Sequence, residues 1–228
     1  MGLRIFWRYF AYMRQIIHKH KIFWSQNHLR WSGILSFTFL ILSLFINYAA
    51  NVYVTNRASN SVSDLFLDIL PVINISWVFF QGTVIFFIFI AWLLLKEPKN
   101  IPFVLKSMAT FILIRSAFIT LTHLAAPPEQ PVLSLSNAFN EITSGNDLFF
   151  SSHTGMPFLM ALIFWQNKRL RIFFICLSVF FGASVLLGHL HYSIDVFAAF
   201  FITYGICHIA QWLFAKDYEL FLKEEEDN

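Results

Sequence analysis

The sequence predicts an all-α fold, an integral membrane bundle of six transmembrane helices. Of its 228 residues, 57% are hydrophobic and only 13% are charged, whereas a soluble domain has about half and about a quarter, respectively. Aromatic residues make up 19% of the chain, which suits side chains that face lipid and each other. Long apolar segments also recur along the chain. Water is therefore not the main solvent of this protein.

Six apolar segments are candidate spans, because a helix needs roughly 20 apolar residues to cross a bilayer. They cover about residues 32–55, 70–95, 101–126, 149–165, 171–190 and 191–214. The fourth segment is short, and the last two are nearly continuous. The predicted organisation is a basic amphipathic cytoplasmic segment at 1–31, a six-span membrane domain at 32–214 and a charged cytoplasmic tail at 215–228.

The N-terminal segment alternates cations with large apolar residues, a pattern typical of a helix that lies in the membrane interface. The cations are Arg4, Arg8, Arg14, Lys19 and Lys21, and the apolar residues are Ile5, Phe6, Trp7, Phe10, Ile16 and Ile17. The segment either anchors the first span or serves only as a basic flank that fixes orientation.

The short loops differ in charge, and cytoplasmic loops carry the excess of Lys and Arg. After the second and fourth apolar segments come Lys96, Lys99, Lys168, Arg169 and Arg171, on the same side as the basic N-terminus. The opposite loops contain Arg57 with Asp64, Asp68, Glu129, Glu141 and Asp147. We therefore expect both termini to be cytoplasmic, in agreement with an even number of spans.

Ionisable residues inside membrane segments are costly to bury and are functional candidates by default. The candidates are Lys106, Arg115, His123, His153, His189, His191, Asp195 and His208. The predicted topology brings His123, His153, His191 and Asp195 to one depth near the non-cytoplasmic side, and Arg115 lies on the outer half of its helix. Lys106, His189 and His208 are interpreted as structural or interfacial residues.

His191 and Asp195 are spaced i, i+4, so on a helix their side chains would lie on one face. The carboxylate can accept a hydrogen bond from one imidazole nitrogen, which leaves the other nitrogen as a nucleophile. A structural hydrogen-bonded pair is the alternative interpretation.

His153 follows two serines at a predicted helix start. Ser151 or Ser152 is a good N-cap, and Pro157 is tolerable in a first turn. The N–H groups of a helix start bind anions. We therefore expect Ser151, Ser152, Thr154 and Arg115 to bind a phosphate, with His123 as a further candidate, while His153 protonates the leaving oxygen.

A metal site is the other chemical option, with His189, His191 and Asp195 as ligands. On a helix, His189 and His191 would point in nearly opposite directions, and no Cys or Glu lies close in the sequence. No metal and no other cofactor is expected. The formal net charge of +3 is spread over short loops, so a nucleic-acid partner is not expected either.

Two segments resemble the catalytic motifs of sphingomyelin synthases, a branch of the type 2 phosphatidic acid phosphatase superfamily. They are Gly145-Asn146-Asp147-Leu148-Phe149-Phe150-Ser151-Ser152-His153-Thr154 and His189-Leu190-His191-Tyr192-Ser193-Ile194-Asp195-Val196. The segment from Arg115-Ser116 through Thr122 to Pro127 is similar to the upstream motif of that branch. The resemblance covers roughly residues 110–210.

The resemblance implies six spans, an active site on the exoplasmic, periplasmic or lumenal face, His191 as nucleophile, Asp195 as its orienting partner and His153 as acid and base. Two positions differ from the family patterns. The glycine usual before the motif histidine is Ser152, and the Arg that the phosphatases carry six residues before the nucleophile is Val185. The absence of that Arg, and of an upstream Lys/Arg-Pro motif, favours the synthase-like branch.

The predicted function is therefore lipid phosphoesterase and phosphotransferase chemistry through a phosphohistidine. A phospholipid donates its head group, and a lipid alcohol accepts it. A lipid phosphate phosphatase, in which water is the acceptor, is the first alternative. A non-catalytic membrane lipid binder is the second.

Overall fold

The computed structural model describes residues 2–57, 59–128 and 148–225, and these residues form helices and loops without a strand. The helices are α1 (Gly2–Ser25), α2 (Asn27–Thr55), α3 (Ser76–Lys96), α4 (Ile101–Leu121), α5 (Ser152–Ile163), α6 (Lys168–Leu187), α7 (Ser193–Leu213) and α8 (Ala215–Glu225). A 3-10 turn, Pro98–Asn100, joins α3 to α4. The predicted all-α membrane bundle is confirmed.

Within the described residues, α2, α3, α4, α6 and α7 are long and apolar enough to cross a membrane. The predicted fourth span, residues 149–165, contains α5, which has 12 residues. At about 1.5 Å per residue this helix is about 18 Å long, less than the hydrocarbon thickness of about 30 Å. The sixth crossing therefore stays a prediction.

The helix ends differ from the predicted segments where the backbone cannot continue a helix. Pro71 lacks an N–H group, and α3 begins only at Ser76, after five residues without regular secondary structure. Thr122 is extended (φ −120°, ψ 133°), so α4 ends before Pro127 and Pro128 rather than near 126. Residues 188–192 separate α6 from α7, where the sequence predicted nearly continuous spans.

Pro157 lies inside α5, in its second turn, and not in the first turn as predicted. Because proline has no N–H, it cannot donate the helix hydrogen bond to the carbonyl of His153. The neighbouring helices stabilise α5 despite this loss, since Leu159, Met160 and Ala161 are fully buried.

Close helix packing depends on two glycines of the bundle. A Cβ atom on Gly155 of α5 would lie 2.8 Å from the Phe111 ring of α4 and 2.8 Å from Thr203 Oγ1 of α7. A Cβ atom on Gly182 of α6 would lie 3.1 Å from Val196 of α7. Small residues therefore allow these helices to approach closely, as in other membrane bundles. The outward faces stay apolar and exposed, with lipid as their solvent.

One end of the bundle is held together by ion pairs. Lys106 Nζ donates to Asp217 Oδ2 (2.6 Å) and to Ser32 Oγ (2.9 Å), which ties α4 to α8 and α2. Lys19 of α1 is paired with Glu97, next to the end of α3. These contacts give Lys106 a structural role, as the sequence predicted. The predicted charged tail is helical as far as Glu225, and its Phe221 is buried.

The other end, called here the site end, carries residues 56–75, 122–128, 148–151 and 188–192. Residues 56–75 form the α2–α3 loop. Its backbone contacts the segment that follows α4 and the last residue of α6. Ser59 N donates to His123 O (2.7 Å), and Ile73 N donates to Leu187 O (2.8 Å). The predicted convergence of the two motif histidines and the end of α4 at one end of the bundle is therefore observed.

Candidate active site

The site is built around the start of α7. His191 precedes this helix, Tyr192 is its N-cap, and Asp195 lies in its first turn. His191 Nδ1 is 3.4 Å from Asp195 Oδ2, and both residues are buried. The predicted pairing is thus observed, but not on one helical face, because His191 lies outside the helix.

The pairing fixes the chemical roles of the imidazole nitrogens. A carboxylate can only accept, so Nδ1 is the donor toward Asp195, and Nε2 carries the lone pair. Asp195 Oδ2 also accepts from Tyr192 N (3.0 Å), which holds the carboxylate at the helix N-terminus. The helix dipole there stabilises a negative charge. The buried Asp195 Oδ1 has no hydrogen-bond partner in the described part of the chain.

The start of α5 is attached directly to this centre. Ser151 N donates to the backbone carbonyl of Asp195 (3.0 Å). Ser151 is the N-cap of α5, as predicted, but its side chain makes no capping bond, and its buried Oγ lacks a partner among the described residues. The helix then begins at Ser152, whose N–H and those of His153 and Thr154 belong to the first turn and have no partner within the helix.

His153 lies in this first turn and is enclosed by aromatic side chains. Its ring packs against Phe79 of α3, with centroids 4.1 Å apart, and against the edge of Phe181 of α6, at 6.4 Å. Three helices therefore fix the orientation of the imidazole. Ser152 and His153 are both half-buried.

The Thr154 side chain lies against α6. It is fully buried, and its Oγ1 would lie 3.3 Å from a Cβ atom on Gly182. Its carbonyl accepts a hydrogen bond from Ser178 Oγ of α6 (2.7 Å). The hydroxyl thus faces the α5–α6 contact, and a phosphate-binding role for Thr154 would depend on its backbone N–H.

Arg115 of α4 reaches the same region from a third direction. Its side chain is buried, with 4% exposure, and Nε donates to the carbonyl of Phe150 (3.3 Å). Phe150 immediately precedes the N-cap of α5. The predicted association of Arg115 with the first motif is therefore present, and it depends on a backbone contact that spacing could not reveal.

Backbone strain occurs at Phe150 and His189, which have φ values of 32° and 49°. Non-glycine residues seldom adopt this conformation, and such residues cluster at functional sites. Phe150 precedes the helix start of the first motif, and His189 opens the second motif. His189 Nε2 lies 3.2 Å from Leu70 O, so this histidine bonds to the α2–α3 loop, as expected for a structural residue.

His123 lies at the end of the helix that carries Arg115, but among other partners. Its ring is 5.8 Å from the ring of Tyr53, and its carbonyl accepts from Ser59. Its Nε2 is buried without a partner among the described residues. Within that part of the chain, no hydrogen bond or ring contact joins His123 to His153, His191 or Asp195, so its predicted phosphate-binding role stays a prediction.

Asp64, in the α2–α3 loop, was predicted only as a loop acid. Its Oδ2 accepts from Ser193 N (2.7 Å) and Ser193 Oγ (2.8 Å), and its Oδ1 accepts from the N–H groups of Phe66 and Leu67. Burial alone would raise the pKa of this carboxyl, but these hydrogen bonds, above all that from Ser193 N–H, together lower it. Asp64 and Ser193 are 129 residues apart, so no local pattern in the sequence could predict that they are bonded.

A cavity of about 470 Å³ opens at the site end, between the α2–α3 loop and the motif around His191. Asp64, His189 and Tyr192 are among its lining residues, whereas His153, His191 and Arg115 are not. Buried charge and a helix N-terminus meet at the latter residues and not in the cavity. In the described ranges, no three His, Cys, Asp or Glu side chains are close enough to form a metal site.

Fold and site together define an integral membrane protein in which a carboxylate-held histidine adjoins the N-terminus of a second helix. Residues 144–212 match the model of a protein family described as PAP2 superfamily C-terminal. Over this segment the chain is similar to the PAP2 superfamily, whose members are phosphoesterases that act on phospholipids. No curated protein and no solved structure matches the chain. The first three motif residues, Gly145, Asn146 and Asp147, lie outside the described residues.

Proposed function

We propose that the protein is a lipid phosphotransferase that moves a phospholipid head group to a lipid alcohol through a phosphohistidine on His191. One observation carries this proposal: His191 Nδ1 is held by the buried Asp195, while the backbone of Asp195 bonds to the N-cap of the helix that carries His153. Hydrogen bonds thereby connect the proposed nucleophile, His191, through its orienting carboxylate, Asp195, to the helix that carries the proposed proton donor, His153.

In the first step, His191 Nε2 attacks the phosphorus of the donor phospholipid. A P–N bond forms, and the P–O bond to the lipid alcohol breaks. His153 gives its proton to the departing oxygen, because an alkoxide is a poor leaving group. Asp195 stabilises the positive charge that develops on the imidazole. The 3.4 Å separation of His191 and Asp195 is expected to shorten when substrate binds, as is common for catalytic hydrogen bonds.

In the second step, the hydroxyl of the acceptor attacks the phosphorus of the phosphohistidine. His153 removes the proton from that hydroxyl, a P–O bond forms, and the P–N bond to His191 breaks. The imidazole is neutral again and His153 is protonated, so the cycle is closed. No outside oxidant, reductant or metal takes part in either step.

Phosphate binding is assigned to the start of α5 and to Arg115. The N–H groups of the first turn and the Ser151 hydroxyl, which is buried without a partner among the described residues, suit an anion. Arg115 offers a forked donor beside Phe150. Ser152 and the N–H of Thr154 complete the predicted set, and His123 is a further candidate.

Transfer is preferred over hydrolysis on the resemblance of the two motifs to those of sphingomyelin synthases. The alternative activity is that of a lipid phosphate phosphatase, in which water attacks the same intermediate and phosphate is released. The two activities share every residue named above, and they differ in the acceptor that reaches the phosphohistidine.

The test supplies purified protein with head-group-labelled phosphatidylcholine or phosphatidic acid, with and without ceramide or a diacylglycerol whose acyl chains differ from those of the donor. We expect label in a new lipid only when the acceptor alcohol is present. Soluble labelled phosphate released from phosphatidic acid would identify a phosphatase instead. If neither product forms, and the protein only retains labelled lipid, it is a lipid binder. The matched control is His191→Ala, which should abolish either product.

A further inference from the structure

We propose that Asp64 is a positioning residue of the active site, which holds the start of α7 so that His191 and Asp195 keep their reactive geometry. The inference rests on the proposed function, because it concerns the rate at which His191 is phosphorylated. Asp64 itself contacts neither His191 nor Asp195 through the hydrogen bonds described above, so its effect must pass through Ser193.

The two oxygens of Asp64 connect two segments that are distant in sequence. Oδ2 accepts from both the N–H and the hydroxyl of Ser193, at 2.7 and 2.8 Å. Oδ1 accepts from Phe66 N (3.0 Å) and Leu67 N (3.1 Å), which closes a turn of the α2–α3 loop. One carboxylate thereby fixes the loop to the first residue of α7.

The start of α7 has two consecutive N–H groups, and each is bound by a different carboxylate. Asp195 accepts from Tyr192 N, and Asp64 accepts from Ser193 N. Hydrogen bonds to charged acceptors are about twice as strong as neutral ones, and a negative charge at a helix N-terminus is favourable. The backbone between His191 and Asp195 is therefore held by Asp195 of the same helix and by Asp64 of the α2–α3 loop.

Apolar contacts reinforce the same connection. Leu67 of the loop, Leu148 and Tyr192 form a small buried cluster. The Tyr192 hydroxyl donates to Ala125 O (2.9 Å) and accepts from Val62 N (3.2 Å). The loop thus contacts Tyr192, the residue that follows His191, through a hydrogen bond from Val62 and through apolar packing of Leu67.

Movement of Ser193 would be passed on to both catalytic histidines. Asp195 lies two residues further along the helix, and its backbone carbonyl accepts from Ser151 N (3.0 Å) at the start of the helix that carries His153. Reaction rates fall steeply when reacting groups are misplaced by about 1 Å. Removal of the Asp64 carboxylate should consequently slow the chemical step even in protein that remains folded.

The experiment is a rapid-quench measurement of the first turnover, with phosphorus-32-labelled phosphatidylcholine or phosphatidic acid as donor. The adduct is trapped in alkaline detergent, because phosphohistidine is acid-labile. The burst amplitude counts competent sites, and the burst rate constant reports geometry at each site. For Asp64→Ala we expect the rate constant to fall by about tenfold or more, with most of the amplitude retained.

Two further variants keep the test independent of folding. Asp64→Asn retains one acceptor oxygen and should recover part of the lost rate. Ser193→Ala removes only the hydroxyl and should cause a smaller loss than Asp64→Ala. Asp68→Asn is the matched control, because Asp68 is an exposed carboxylate four residues away, and its rate constant should equal that of the wild type.

The outcomes separate the two proposals. An Asp64→Asn or Asp64→Ala protein with reduced amplitude but a wild-type rate constant would overturn the positioning role and leave Asp64 a purely structural residue. If the adduct forms equally well in His191→Ala, or never forms in the wild type, both proposals fail. A wild-type burst that depends on His191 and is slowed by the Asp64 variants supports both.

Discussion

At the scale of single residues, the two nitrogens of His191 have different tasks. Nδ1 is directed toward Asp195, so Nε2 is the nitrogen left for the proposed nucleophilic attack. The His153 ring lies between the aromatic side chains of Phe79 and Phe181. In the proposed mechanism His191 is the nucleophile and His153 is the proton donor, so the two histidines should respond differently to the quality of the leaving group.

The first prediction uses a nitrophenyl phosphodiester, whose leaving group needs no protonation. His191→Ala should be inactive on both this compound and the natural lipid. His153→Ala should release nitrophenol in a first turnover and then stall, because in the proposed mechanism His153 also deprotonates the acceptor. The measurement is nitrophenol absorbance together with alkaline trapping of the adduct. An adduct on His153, or any adduct in His191→Ala, would reverse the assignment.

A second prediction concerns Arg115, which is buried and bonded to the Phe150 carbonyl. Lysine keeps the charge but cannot reproduce the planar fork that binds phosphate oxygens. Arg115→Lys should lose about tenfold or more in turnover, while its elution profile and melting temperature stay close to those of the wild type. Near-normal turnover would show that this cation does not bind the phosphoryl group.

Asp64 provides a pH prediction. Its carboxyl has a pKa below the ordinary value of 3.8, so its stabilising contribution is fully present above pH 3.8 and is lost as the pH falls through the lower folded-state pKa. The difference in melting temperature between wild type and Asp64→Asn should stay constant from neutral pH down to about 5 and shrink in strong acid. A difference that shrinks already between pH 7 and 5 would contradict the assignment.

At the scale of the helices, contact between α4, α5 and α7 at Gly155 positions the His153 turn. Gly155→Ala would place a Cβ atom 2.8 Å from Phe111 and Thr203, and overpacking of this kind costs about 1–3 kcal/mol. We expect a lower melting temperature and lower turnover. Gly205→Ala is the control, since a Cβ there meets nothing within 4 Å. Equal melting temperatures for the two variants would show that the contact is not tight.

At the scale of the whole molecule, the predicted topology places the site end on the non-cytoplasmic side. Single cysteines at Ser63 and Asn167, in a protein with Cys176 and Cys207 replaced, should react with a membrane-impermeant maleimide from opposite sides. In sealed cells or vesicles whose non-cytoplasmic face is outward, Ser63 should react directly, and Asn167 only after permeabilisation. Labelling of both from the same side would refute the orientation derived from the loop cations.

The membrane class, the approximate spans and the two motifs with His153, His191 and Asp195 could be predicted from the sequence alone. These features depend on local properties: apolar length, loop charge and short spacing. The sequence also indicated Arg115, because an ionisable residue within a membrane segment is costly and so stands out. Helix ends were less predictable, since apolar residues continue past α4 and between α6 and α7 without marking where the backbone leaves the helix.

The partners of these residues could not be predicted from the sequence and are visible only in the packed structure. In the structure His191 lies outside the helix that contains Asp195, and the Thr154 hydroxyl faces Gly182. Asp64 is hydrogen-bonded to Ser193. Each of these contacts joins segments far apart in the chain or depends on one backbone turn, such as that at His189. Spacing along the sequence reports only local geometry, so the packing of whole helices was needed to define the site.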